Sequence, residues 1–178
     1  MTLKHVKQAN TLRLIIFSFL FCIINGCSKK NNDIHPLPTF TDRWEIRGGK
    51  YADRPIFIKI NRGLDSIAEH APLAWQAAAS VVLKHPQKSG LADNEEEEAL
   101  EKIEKMLTYR LSTAGIAVYA LKVESDNRCD FIFYTDNKNA VEKVFKSVKK
   151  LITDYQIDFS LKRDDKWISY KWFSSWEK

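Results

Sequence analysis

The sequence predicts an α+β fold, an antiparallel sheet with two helices on one of its faces. Three observations predict it. Residues 94–111 place Leu100, Ile103, Leu107 and Leu111 at helical spacing, the period of a helix with one buried face. Residues 141–155 repeat that period with Val141, Val144, Phe145, Val148, Leu151, Ile152 and Tyr155. Short β-rich runs bounded by turn residues stand around and between them, at 73–84, 116–123, 129–135, 156–162 and 166–173, as strands do.

The first residues have a different character. Lys4, Lys7 and Arg13 lead into an apolar run that ends in Ile24-Asn25-Gly26-Cys27, and no acidic residue precedes Asp33. A basic start, a short apolar run and a small residue before a cleavage point make a secretory signal. A membrane-spanning helix needs about 20 apolar residues, and this run is roughly half that. The cysteine directly after Gly26 resembles a bacterial lipobox. That resemblance implies cleavage between Gly26 and Cys27, diacylation of the Cys27 sulfur, and attachment to a membrane through those acyl chains. Ser28 beside it implies the periplasmic face of the outer membrane if the cell is Gram-negative. The expected organisation is a signal at 1–26, a lipidated tether at 27–41 carrying Pro36 and Pro38, one α+β domain at 42–174 and a tail at 175–178.

Processing changes the bulk properties. The mature chain keeps 178 − 26 = 152 residues, enough to bury a core of its own. Three of the 28 basic residues leave with the signal and none of the 23 acidic ones does, so the balance falls from +5 to 25 − 23 = +2. A pI near 9.0 is therefore no sign of a nucleic-acid partner. Cys22 lies in the signal and Cys27 would carry lipid, so Cys129 is left without a cysteine to pair with inside the chain.

Within the domain, Arg43–Arg47 alternates polar and apolar. Gly48-Gly49-Lys50 reads as a turn, and 55–61 resumes with Ile56, Ile58 and Ile60 on one face, giving a hairpin. Gly48-Gly49-Lys50 lacks the second glycine and the Ser/Thr of a phosphate loop. Residues 63–70 read as a short helix or loop. Residues 73–84 are ambiguous between helix and strand, and we assign a strand that Pro86 stops. Asp93 caps the first helix, and Glu95–Glu98 fill its first turn, where negative charge complements the exposed N–H groups. Glu98 can pair with Lys102 and Glu101 with Lys105. Gly115 ends that helix, and Asp136 is the expected cap of the second. Arg163-Asp164-Asp165 reads as a turn and 166–173 as a last strand. From Leu73 the order strand, helix, strand, strand, helix, strand is the split β-α-β pattern of ferredoxin-like sandwiches. The N-terminal hairpin and the last strand would widen that sheet.

Trp44 with Gly48-Gly49, the 55–61 strand, Ser89-Gly90-Leu91, Leu100 with Ile103-Glu104, Phe133-Tyr134, and Trp167 with Tyr170 fall in a telling order. Together they resemble the bacterial family catalogued as domain of unknown function 695, over nearly all of the mature chain from Arg43 to Phe173. That family is similar in its second half to protein inhibitors of ribonuclease E, which implies the ferredoxin-like fold. No catalytic residue transfers. The chain has Gly90-Leu91-Ala92 where the family commonly shows Gly-Leu-Pro. The lipobox conflicts with a cytoplasmic ribonuclease partner, so that function is not carried over.

Candidate chemistry is sparse. Cys129 with His70 or His85 could form a nucleophile–base pair, but no motif joins them. His35, His70 and His85 are too scattered for a zinc pattern, and Glu95–Glu98 fan out around a helix and cannot converge on one ion. No cofactor is implied. Lys143, Lys146, Lys149 and Lys150 form a basic stripe opposite the apolar face of the second helix. A stripe of this kind suits solvent, and it also suits an acidic partner or anionic lipid. Aromatic residues do not interleave with it, which argues against single-stranded nucleic acid. The expectation is a lipid-anchored, non-catalytic binding module of the cell envelope. The alternatives are an envelope enzyme with an unrecognised site and an inhibitor of an envelope hydrolase.

Overall fold

The structure is a computed structural model and describes residues 36–68 and 73–176. The signal, Gly26, Cys27, His35, His70 and the end of the tail lie outside the described residues.

The fold is α+β. Six strands, β1 (Trp44–Tyr51), β2 (Arg54–Asn61), β3 (Trp75–Val82), β4 (Val118–Ser125), β5 (Arg128–Thr135) and β6 (Ile157–Arg163), form one sheet. Its order is β1-β2-β4-β5-β3-β6, and every neighbouring pair is antiparallel. Helix α1 (Asn94–Thr108) joins β3 to β4, α2 (Lys138–Leu151) joins β5 to β6, and α3 (Ile168–Ser175) follows β6. Residues 73–84 resolve as strand β3. Its small Ala77 and Ala79, both fully buried, let the sheet sit close to the layer above it.

The sheet has a different core on each face. On one side Leu100, Ile103, Leu107 and Leu111 pack with Val141, Phe145 and Val148 over Ala77, Ala79, Val81, Phe131 and Phe133. This is the two-helix layer that the periodicity predicts. Asp93 caps α1, its carboxylate accepting from the Glu96 N–H at 2.8 Å. The final turn loosens into a π-type turn at Tyr109–Thr113. Gly115 closes it at φ 67°, the left-handed value that glycine adopts without a Cβ clash. On the other side Ile56, Ile58 and Ile60 of β2 and Val118, Ala120 and Ile132 pack against Leu64, Leu73, Trp167 and Tyr170.

Three expectations are corrected. Residues 166–173 are not a strand but mostly α3, which covers the second face and does not widen the sheet. The aromatic content there favours strands, yet Trp167 and Tyr170 are three residues apart and face one way. The Asp164 carboxylate accepts from the Ile168 and Ser169 N–H groups at 2.7 and 3.2 Å, which starts a helix. The hairpin turn is not at Gly48-Gly49. Both glycines lie inside β1, and the turn falls at Ala52 and Asp53, with φ 48° and 63°. Gly49 is small for another reason, since a Cβ there would sit 2.6 Å from the Trp176 ring. Asn137, and not Asp136, caps α2, accepting from the Ala140 N–H at 3.0 Å. Within 63–68, the short helix or loop expected there includes the end of a 3-10 turn, Arg62–Leu64.

Candidate functional site

Strands alternate their side chains between faces. In β2 the isoleucines go to the α3 side, so Phe57 and Lys59 point to the helix side. There β1 and β2 extend past the flank of α1, and an open groove of about 1100 Å³ runs between them. Trp44 and Ile46 of β1, Phe57 and Lys59 of β2, and Tyr119 and Lys122 of β4 line one wall. Glu97, Glu101, Glu104 and Tyr109 stand on the other.

The charges in the groove come in pairs. Lys59 Nζ lies 2.7 Å from a Glu104 carboxylate oxygen and 5.0 Å from the centre of the Trp44 ring, a cation–π distance. Lys105 pairs with Glu101 at 3.0 Å. Lys122, 1 % exposed although it is a lysine, donates to the Glu97 carboxylate. Burial works against the Lys122 ammonium. Cys129, the hydrogen bond to Glu97 and the nearby Glu124 carboxylate together outweigh it and hold the lysine above its ordinary value. Burial raises Glu124, against the hydrogen bond from the Ala92 N–H at 2.6 Å.

Two hydroxyls at the groove are left over. Tyr119 is 5 % exposed and lies between Trp44, tilted at 4.9 Å, and Phe133, stacked at 4.8 Å between ring centres. Its hydroxyl is buried beside the Glu104 carboxylate and, among the described residues, neither it nor the Ser112 hydroxyl meets hydrogen-bonding geometry. Burial first, then the neighbouring Glu104 carboxylate, pushes the Tyr119 phenol well above its usual range. Buried hydroxyls normally find a partner. The groove thus offers rings and balanced charge, a surface that suits a ligand with an apolar body and a few polar groups.

The residues singled out from sequence fall elsewhere. Cys129 is free and fully buried under the two helices. Burial above all, despite the pull of Lys122, pushes its thiol well up, so it is not a thiolate nucleophile. His85 is exposed on the loop after β3. Lys143, Lys146, Lys149 and Lys150 are exposed along α2. Lys149 and Lys150 occupy its last turn, where positive charge complements the helix dipole. The Glu95–Glu98 cluster divides its work. Glu96, 3 % exposed, accepts from the Lys84 and His85 N–H groups at 2.9 and 2.6 Å, and Glu97 holds Lys122. Among the described residues no group of three or more His, Cys, Asp or Glu side chains is placed to hold a metal ion. No helix among the described residues is long and apolar enough to cross a membrane.

Sequence reasoning missed the groove because Lys59, Lys122 and Glu104 look like ordinary surface residues. The signal available was a lysine inside the apolar run Val118–Val123.

Residues 42–174 match the model of the family described as "Family of unknown function (DUF695)", and the chain belongs to that family. No curated protein and no solved structure matches the chain significantly.

Proposed function

We propose that this member of a family of unknown function is a lipid-anchored binding module of the cell envelope that takes its ligand non-covalently in the groove between β1, β2 and α1. The groove carries the reading. Its rings are available, whereas its lysines and glutamates are already committed to one another. The lipobox Ile24-Asn25-Gly26-Cys27 supports acylation at Cys27, and Ser28 supports the outer membrane, periplasmic face, in a Gram-negative cell. The strand order β4-β5-β3-β6, with α1 and α2 as the crossovers, supports the ferredoxin-like reading of residues 73–163. In this reading the lysine stripe on α2 is a secondary contact.

Two experiments test it. Cys27→Ala should abolish incorporation of a fatty-acid analogue, and unchanged labelling would remove the anchor. A photo-crosslinking residue at Tyr109, on the rim of the groove and 71 % exposed, should form one defined adduct in intact cells. The same residue at Lys146 should not. An adduct at Lys146 alone would move the binding face to the stripe. Turnover by the purified domain, lost on changing groove residues, would make the protein an enzyme.

A further inference from the structure

Helix α3 has two sides. Trp167 and Tyr170 are buried against the sheet, whereas Ile168 is 66 % and Trp172 is 41 % exposed. Ile168 and Trp172 are four residues apart and so share a face. The Trp172 ring meets Tyr51 edge-on at 5.3 Å, and Tyr51 is itself 55 % exposed. The result is an apolar, aromatic patch on the outside of the domain. Its rim is basic. Lys162, Lys166 and Lys171 are exposed on or beside α3, and the exposed acid next to them, Asp165, is paired with Arg163 at 3.5 Å. Lys162 donates to the Ser169 hydroxyl at 3.3 Å, which holds its ammonium beside the helix.

The patch is firmly held. Arg47 donates to the Phe173, Ser174 and Trp176 carbonyls at 3.4, 3.2 and 2.8 Å, and Arg62 donates to Ser174 at 2.9 Å. Leu37 and Phe40 also pack against the core beneath α3.

We propose that the outer face of α3, with Tyr51, rests on an anionic lipid surface. Tyr and Trp rings suit the boundary between hydrocarbon and water. Lysines place their stems against the apolar layer and their ammonium groups at phosphates. The charge match stands without acylation at Cys27. The groove, on the other face of the sheet, then opens away from the lipid.

The test uses residues 34–178, which form a compact unit of their own, contain every strand and helix described, and lack Cys27. Cosedimentation with phosphatidylglycerol vesicles should exceed that with phosphatidylcholine vesicles. K166E with K171E should weaken it about tenfold or more, since each lysine near an anionic surface contributes about fivefold. I168S, at an exposed position, should weaken it further without altering the circular dichroism. K146E with K149E should leave it unchanged. Equal sedimentation with both lipids, or loss only in the α2 variant, would overturn the proposal. So would self-association without vesicles that I168S abolishes, since a second copy would then occupy the patch. Fatty-acid labelling at Cys27 is read separately, so either result can fail without the other.

Discussion

The two faces of the sheet are closed by different physics. Under α1 and α2 the contact is aliphatic and aromatic surface at regular spacing, with Phe145 stacked on Phe159 at 4.4 Å. Under α3 it is a hydrogen-bonded aromatic cluster. The Trp167 ring lies parallel to Tyr134 at 3.9 Å, and its indole N–H donates to the Leu73 carbonyl at 3.0 Å. The Tyr134 hydroxyl donates to Asp164 at 2.9 Å, and the Tyr170 hydroxyl donates to Asp65 at 2.7 Å. Desolvation and Asp164 push the Tyr134 phenol well above its usual value, and burial with Asp65 does the same for Tyr170. Long helices bury enough periodic surface to dock by area. A helix of eight residues is marginal by itself, and specific polar groups hold it in place.

Substitutions can break this contrast. Trp167→Ala removes the centre of the α3 cluster and should cost about 5 kcal/mol in urea unfolding, the upper end for a buried aromatic. A loss below about 1 kcal/mol would show α3 to be a cover that the sheet does not need. Phe145→Ala, on the helical layer, should cost about 3 kcal/mol in the same assay. A loss no greater than that of a surface change would mean that α2 is not held by area.

Asp164→Ala sharpens the comparison further. It strands the Tyr134 hydroxyl and two α3 N–H groups, and should cost about 2 kcal/mol. Hydrogen exchange should show the loss first in the amides of α3. Equal protection there and in α2 would contradict a separately anchored helix. The corresponding cap on the other side, Asp93→Ala, should cost about 1 kcal/mol, the usual value for an N-cap, and thermal melting should show it.

The smallest effect is one of pH. Burial raises the Glu124 carboxyl above 4.5 in the folded chain. The folded state therefore holds that proton more tightly than the unfolded one. The stability it contributes is present below the ordinary carboxylate value and is lost as pH rises through the raised one. Glu124→Gln should flatten the melting temperature over that interval, and an unchanged slope would assign it to other groups.

Helices α1 and α2 were legible because each buries one continuous stripe that a single sequence displays. Strand β6 was legible because Ile157, Phe159 and Leu161 alternate. Helix α3 was not, since its aromatic residues favour strands and its decisive cap, Asp164, reads as a turn residue until Tyr134 is seen above it. The hairpin turn escaped because Ala52, a residue that rarely adopts positive φ, stands there, while the glycine at 49 answers to Trp176 far along the chain. The groove was hidden for a similar reason. Lys59 and Glu104 become partners only when β2 is added to the sheet beside α1, and Lys122 and Glu97 only when α1 lies over β4. The family resemblance touched both sets. Trp44 and Glu104 belong to the groove, and Tyr134, Trp167 and Tyr170 to the cluster that secures α3.

Two of the three indoles around α3, Trp167 and Trp172, give the domain an optical gauge. Trp167 is fully buried and lies parallel to a tyrosine, at 7° between planes, so it should contribute a strong near-ultraviolet dichroic band and resist collisional quenchers. Trp172, one helical turn beyond Ile168, faces outward and should emit at longer wavelength and quench readily. The dichroic band then reports whether the helix is seated. The quenchable emission reports what lies against its outer side, and the two can be followed together in one unlabelled sample.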